Sequence, residues 1–161
     1  MAFWLMKSEP EEASIDHLAV APGQTLPWVG VRNYQARNFM RDAMQIGDRA
    51  FFYHSGCAEP GIAGICEVCS EPYPDVTQFV AVDPHFDPKS KPEQPRWWLR
   101  DVRFVKKTPY LTLAELRRHP ELADMRLLVR GNRLSITPVT GDEWQFITRC
   151  LLGIDEFKEW K

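Results

Sequence analysis

Short apolar segments, each interrupted by glycine, proline or a cluster of polar residues, most constrain what this chain can fold into. The segments "AFWLMK", "DRAFFYHS", "GIAGICEVCSEPY" and "RWWLRDVRFVKKTPY" are typical of β-strands. Only short helical patterns lie between them. Because strands outnumber helices and are separated by them along the chain, the sequence predicts an α+β fold built round a small, strongly bent sheet.

Four segments carry the polar residues that begin helices. Asn33 can cap a helix whose apolar stripe runs from Ala36 to Met44, with Gly47 just past its end. The other predicted starts are Ser14, before a helix through Val20, and two capping boxes, Thr112 with Glu115 and Thr140 with Glu143.

The remaining segments predict turns and loops. Gly131 and Asn132 predict a tight turn between two strand-like runs in "RLLVRGNRLSITPV". The prolines and glycines of "APGQTLPWVG" and "VDPHFDPKSKPEQP" predict loops, and the second of these is not expected to link two domains.

The composition is that of a soluble globular protein, with 44% hydrophobic and 26% charged residues. At this length we expect one domain over residues 1–161. No apolar run is long enough to span a membrane, and charged residues interrupt any secretory signal near the start. We therefore expect a monomer in the cytoplasm, with no membrane contact and no cofactor.

The four cysteines could suggest zinc, because Cys66 and Cys69 have the spacing of a ligand pair. A structural zinc site needs a second pair, and neither Cys57 nor Cys150 has a partner at that spacing. In a strand, residues three apart face opposite sides. The sequence therefore predicts small buried thiols in a reducing cytoplasm and no metal site.

Positive charge is concentrated between Arg96 and Arg133, where ten Lys/Arg stand against four acidic residues. The rest of the chain has ten basic and eighteen acidic residues. Such asymmetry can mark a side that faces nucleic acid, with Arg100, Arg103 and Lys106 as contacts to its backbone. Charges that pair locally on a solvated face are the alternative.

No catalytic residues are predicted. His54 and Cys57 in "YHSGC" could form a base and a thiol nucleophile, but no third group is evident to orient the imidazole. The chain also has no G-x-S-x-G, Walker, G-x-G-x-x-G or H-E-x-x-H motif.

The stretch "PWVGVRNYQARNFMRDAM" is the strongest candidate for a binding site. Within eleven positions it collects side chains that stack on flat rings or read hydrogen-bonding edges, and these are Trp28, Arg32, Asn33, Tyr34, Gln35, Arg37 and Asn38. Alternatively Trp28 could fill the core, Asn33 could only cap a helix, and Arg37 could be solvated. Residue chemistry leaves both interpretations open.

Together, "WLMKSEP", "W-x-GVRNYQARNFMR", "GD-x-x-FFYHS", "GIAGICEV", "PRWW-x-x-DVRFV" and "RLS-x-x-PV-x-x-x-EW-x-x-I" resemble the EVE domain family, over Phe3 to about Leu152. The resemblance implies a PUA-like bent β-barrel with short helices packed at its openings. It also implies a nucleic-acid-binding module that holds a modified base, with modified cytosine the best supported class, in a pocket beside the barrel.

Carried onto matching positions, the resemblance gives one set of base-binding candidates, which are Ser8, Glu9, Trp28, Asn33, Tyr34, Arg37, His54, Arg133 and Ser135. The expected partner is DNA or RNA containing a modified base. Two other functions stay open, an enzyme acting on a modified base or nucleotide through Ser8, His54 or Cys57, and an adaptor for protein contacts.

Overall fold

The computed structural model describes residues 1–154, and the last part of the predicted domain, residues 155–161, lies outside them. The strands of the described part are β1 (Phe3–Ser8), β2 (Thr25–Pro27), β3 (Arg49–His54), β4 (Gly61–Val68), β5 (Tyr73–Pro74), β6 (Trp98–Leu99), β7 (Asp101–Thr112) and β8 (Ile136–Val139).

The α-helices are short, and they are α1 (Ile15–Val20), α2 (Tyr34–Asn38), α3 (Leu113–Leu116) and α4 (Gly141–Gln145). Both α2 and α4 continue as π-helical turns, over Phe39–Ala43 and Phe146–Leu151. The 3₁₀ turns of the described residues lie at Pro22–Gln24, Val76–Phe79, Pro120–Leu122 and Arg126–Leu128. Within residues 1–154, no helix has the length and apolar character needed to cross a bilayer.

Six strands form one mixed sheet in the order β2-β7-β4-β3-β1-β8, and β5 pairs with β6 separately. Strand β1 runs parallel to β3, and the other ladders are antiparallel. The pairing register shifts once between β3 and β4 and twice between β4 and β7, which bends the strands. The predicted α+β class and bent sheet are thus observed. No ladder joins β2 to β8 in the described residues, so backbone pairing does not close the expected barrel.

The sheet is buried on both faces. Successive residues of a strand point to opposite sides, so neighbouring residues belong to different hydrophobic clusters. In β1, Trp4 and Met6 belong to one hydrophobic cluster and Leu5 to the other. Helix α2 and its π turn cover the first cluster with Met40, and α4 covers the second with Trp144. This double burial explains why the strand segments are nearly continuous apolar runs.

All four predicted helix caps are present. The side chains of Ser14, Asn33, Thr112 and Thr140 accept hydrogen bonds from backbone N–H groups of the first helical turns. The Thr140 box is reciprocal, as predicted. The Thr112 box is not, because the carboxylate of Glu115 lies 3.1 Å from His119 Nε2 instead.

Three local predictions are wrong. The segment Thr25–Pro27, predicted as loop, pairs with β7 as an edge strand. The run "RLLV" is a 3₁₀ turn and not a strand, because the Asn132 amide donates to the Arg126 carbonyl and compacts the segment. Strand β4 ends at Val68, so Cys69 follows the strand rather than lying within it.

The prediction of buried thiols is confirmed for Cys66, which is fully buried and whose pKa is raised by burial to about 12. It is wrong for Cys69, which is partly exposed, and Cys57 and Cys150 are not buried either. No group of three or more His, Cys, Asp or Glu side chains in residues 1–154 could hold a metal ion. That the purified protein carries no zinc stays a prediction.

Gly64→Ala is expected to destabilise the fold by about 1–3 kcal/mol, as overpacking of a core does. A Cβ at this position would lie 2.5 Å from Ile15 Cδ1 and 2.7 Å from the Lys106 carbonyl oxygen. Gly141→Ala is the matched control, since nothing lies within 4 Å of a Cβ there. Urea denaturation of both variants checks the effect, and equal midpoints would contradict it.

Candidate functional site

The main candidate site is a cavity of about 680 Å³ at one end of the sheet. Strands β1 and β3 are parallel and end together, and the N–H of Ser55 donates to the carbonyl of Ser8 at 2.9 Å. Strand β8 runs the other way and begins at this edge, where the N–H of Lys7 donates to the carbonyl of Ser135 at 2.8 Å. The topology therefore brings three distant chain segments to one place.

Five of the nine predicted base-binding residues line this cavity, namely Ser8, Glu9, Trp28, Arg133 and Ser135. The other four, Asn33, Tyr34, Arg37 and His54, do not line it. Sequence reasoning missed further lining residues, namely Lys7, Glu12, Ala13, Leu26, Pro27, Val29, Gly30, Val31, Ser55 and His85.

Trp28 belongs both to the core and to the cavity wall. It is 7% exposed, packs in the first hydrophobic cluster, and meets the Phe52 ring edge-on at 5.4 Å between centroids. Its indole N–H has no hydrogen-bond acceptor in residues 1–154 and is not fully buried. Trp28 therefore keeps an unpaired indole donor, and the open stacking face that we expected is largely covered.

The polar lining of the cavity mixes both charges. Lys7 and Arg133 face the same space as Glu9 and Glu12, and burial lowers the pKa of Lys7. The Ser8 hydroxyl donates to the Ala13 carbonyl at 2.7 Å. A site of this kind offers donors and acceptors together, as the edge of a nucleobase requires.

One wall of the cavity depends on Gly30 and His85. Gly30 has φ of +86°, and a Cβ there would lie 2.6 Å from His85 Nε2. The proline-rich loop brings His85 to this wall, because Arg32 donates to the His85 carbonyl at 3.0 and 2.8 Å. The carboxylate of Asp75 anchors the same wall by accepting from the Gly30 N–H at 2.8 Å. The sequence carried no local signal for His85.

Asn33 and His54 have structural roles away from this cavity, and their contact with a base stays a prediction. Asn33 Oδ1 accepts from the Ala36 N–H at 3.0 Å and caps α2. Nε2 of His54 accepts from the Ile15 N–H at 3.2 Å, at the start of α1. Burial lowers the pKa of His54, which favours the neutral ring that this hydrogen bond requires.

Tyr34 and Arg37 lie on another surface. Tyr34 is 51% exposed and stacks on Trp97 at 4.9 Å between centroids. The Arg37 guanidinium lies 4.7 Å from the Tyr34 centroid and donates to the Arg96 carbonyl at 2.8 Å. Arg37 lines a second cavity, of about 700 Å³, and not the first.

The predicted backbone contact Arg100 is wrong. Arg100 is only 4% exposed, and its guanidinium donates to the carbonyls of Met40, Met44 and Ser70. The Met40 carbonyl lies in the π turn that follows α2, and the Met44 carbonyl lies at the end of that turn. Arg100 therefore donates to backbone groups that a helix end leaves unpaired. Its role is to anchor α2 to the sheet.

The other two predicted backbone contacts, Arg103 and Lys106, lie on β7. Arg103 is exposed and pairs with Glu67 at 3.2 Å, and Lys106 is partly buried. Their neighbour Lys107 pairs with Asp16 at 2.8 Å. Charge on this strand is therefore largely balanced by local carboxylates, which favours the alternative of a solvated face.

The fold is a small α+β module. Its main cavity forms where the ends of β1 and β3 and the start of β8 meet the segment before α2. The chain belongs to the EVE domain family, whose model matches residues 2–150. The resemblance seen in the sequence is thus confirmed.

The similar proteins agree with this assignment. Human "Thymocyte nuclear protein 1" is 48% identical over 162 residues, which cover 89% of this chain and 71% of the relative. A crystal structure of human THYN1 protein in complex with 5-methylcytosine-containing DNA is 46% identical, with a TM-score of 0.89 over 93% of this chain and 97% of that one. A Pseudomonas syringae protein is 44% identical, with a TM-score of 0.89 over 94% and 100%.

Arg100→Met is expected to lower the free energy of unfolding by about 2–4 kcal/mol, because it leaves buried carbonyls without donors. The control is Arg103→Met, which breaks an exposed ion pair and should cost less than about 1 kcal/mol. Chemical denaturation measures both. Comparable small losses would show that Arg100 does not anchor α2.

His54→Gln is expected to flatten the pH dependence of stability. Because the folded state depresses the pKa of His54 below its ordinary 6.5, its contribution is complete above that value and is lost as the pH falls. Glutamine keeps an acceptor for Ile15 but does not titrate. The check is denaturation of both proteins between about pH 7.5 and about pH 5, and parallel curves would contradict the assignment.

Proposed function

We propose that the first cavity holds one modified base, of the cytosine-derived class, from a strand of DNA or RNA. The observation that carries the proposal is that one cavity collects five family-motif residues from three distant segments of the chain. Its volume of about 680 Å³ also lies in the usual range of small-molecule sites. The similar human protein described with 5-methylcytosine DNA supports the choice of ligand class.

The lining supplies what a cytosine-derived base needs. A carboxylate such as Glu9 or Glu12 can accept from the exocyclic amino group, as acidic side chains do for cytosine. The free N–H of Trp28 and the guanidinium of Arg133 are donors for the ring nitrogen and carbonyl. The side chains of Leu26 and Val29 give an added methyl group an apolar neighbour. These contacts must offset the few kcal/mol that extruding a base costs.

An enzyme acting on a modified base is the second candidate, and the geometry favours it less. The Ser8 hydroxyl already donates to Ala13, and no imidazole contacts it among the described residues. The Nε2 of His54 is engaged by Ile15, which removes it as a base for Cys57. Incubating the protein with a modified oligonucleotide and analysing the products by mass spectrometry separates the two, since a binding module leaves the ligand unchanged.

Arg133→Ala should reduce the preference for an oligonucleotide with one 5-methylcytosine over its unmodified twin, at a loss of about 1–3 kcal/mol. Arg130→Ala is the matched control, because Arg130 is exposed on the same segment and does not line the cavity. Fluorescence anisotropy gives both affinities, and thermal melting confirms that each variant folds. Equal preference in both variants would exclude Arg133 from the site.

Trp28→Phe should weaken binding of the same methylated oligonucleotide while largely preserving stability, since it keeps an aromatic ring against Phe52 and removes the indole N–H. Trp28→Ala, by contrast, should cost stability by about 3–5 kcal/mol, as for a core tryptophan. Isothermal titration and melting separate the two effects. Unchanged affinity for Trp28→Phe would limit Trp28 to its role in the core.

A further inference from the structure

The second cavity, of about 700 Å³, lies where the π turn after α2 meets the proline-rich loop. Its lining is strongly basic, with Arg37, Arg41, Lys89, Lys91 and Arg96 against the single acid Glu93. Of these cations only Arg96 lies in the basic segment that the sequence predicted to face nucleic acid. Lys89 and Lys91 come from the predicted proline-rich loop.

Local carboxylates neutralise only part of this charge. Arg41 pairs with Asp42 at 2.8 Å, and Arg96 lies 4.0 Å from Asp87. The exposed side chains of Lys89 and Lys91 form no ion pair or hydrogen bond within residues 1–154. The pKa of Arg37 is lowered by burial and then by the charge of Arg41, so these two cations lie close to each other.

Hydrogen bonds hold the backbone of the loop that carries Lys89, Lys91 and Arg96. Gln78 is fully buried, and its side chain accepts from the Ser90 hydroxyl at 2.6 Å and the Trp97 N–H at 3.0 Å. Asp87 accepts from the Trp97 indole at 2.7 Å and from the Lys89 N–H at 2.9 Å. Groups of like charge are therefore kept close by a hydrogen-bonded frame, which is how a site for an anion is preorganised.

Two aromatic groups add to the site. The indole N–H of Trp98, which also lines the cavity, is buried and has no acceptor in the part of the chain described. The exposed Tyr34 ring stacks on Trp97 beside Arg37. The Trp98 indole thus reports on the cavity wall, and an exposed ring beside a basic groove suits a neighbouring base.

We infer that the second cavity binds phosphate groups of the same nucleic-acid strand whose base enters the first cavity. The inference rests on the proposed function, and the loop supplies the connection. His85 lines the first cavity, and four to eleven residues later Lys89 and Arg96 line the second. On β7, by contrast, Arg103 and Lys107 are each paired with a carboxylate, whereas Lys89 and Lys91 are not.

The double variant Lys89→Gln with Lys91→Gln tests the inference. Phosphate contacts carry no base information, so affinity should fall by the same factor for 5-methylcytosine and unmodified oligonucleotides. The slope of log affinity against log salt should also fall, by about 0.7–0.9 for each phosphate that is no longer neutralised. The matched control, Arg103→Gln with Lys107→Gln, removes the same charge from β7 and should change neither quantity as much. Unchanged affinity and slope, or equal changes in both double variants, would overturn the inference.

The outcomes separate this inference from the proposed function. If the Lys89/Lys91 double variant binds more weakly but the parent protein does not prefer 5-methylcytosine, the phosphate site is supported and the base pocket is contradicted. If the parent protein prefers 5-methylcytosine but the double variant binds as the parent does, the base pocket is supported and the phosphate site is contradicted. If the parent protein binds no oligonucleotide at low salt, both are wrong.

A free phosphate ion is the other source of the same chemistry, and NMR of the Trp98 indole N–H distinguishes it. The resonance is assigned with Trp98→Phe. It should shift on adding an oligonucleotide and much less with millimolar inorganic phosphate, because a strand presents several phosphates in sequence. A shift with inorganic phosphate alone would identify a small-anion site and overturn the assignment to a nucleic-acid backbone.

Discussion

The pairing of β1 between β3 and β8 is the constraint on which the rest of the structure depends. Because β1 is parallel to β3 and antiparallel to β8, two strand ends and one strand start lie at the same edge. The polar residues that follow the apolar run of β1 therefore meet Ser55 and Ser135 without any further device. Both faces of these strands are buried, so a slip of one residue would move every core side chain into the opposite hydrophobic cluster. The register that builds the core thus also builds the cavity.

Two buried charged side chains position the segments before and after α2, which the sheet alone does not hold. Arg100 holds the end of the segment that begins with α2 through three backbone carbonyls, and Asp75 holds the segment before α2 through Gly30 and Arg32. Burial raises the pKa of Asp75, but hydrogen bonds from Thr77 and Gly30 outweigh it and hold that pKa below its usual range. A charged carboxylate at full burial is thereby stabilised, as buried ions require. The proline-rich loop docks on this same point, which links the walls of both cavities.

Sequence reasoning succeeded where the determining contacts are local. Helix caps depend on residues three apart, so Asn33 and Thr140 were predictable, and short apolar runs made β1 and β3 recognisable. It failed where a contact with a residue distant in sequence determines the position of a side chain. Arg100 in a basic segment looks like any surface arginine until the carbonyls of Met40 and Met44 are brought to it. His85 has no signal in "VDPHFDP", because Arg32 places it from 53 residues away. For Trp28 the sequence left core and pocket open, and the side chain belongs to both.

The central claim, that the first cavity receives a cytosine-derived base, is tested most directly by mapping amide chemical-shift changes during titration with a short oligonucleotide carrying one 5-methylcytosine. The account predicts the largest changes at Ser8, Ser55 and Ser135, which lie at the cavity on three different strand ends, with smaller ones at Lys89. Changes confined to β7 round Arg103, or no changes at all, would contradict it.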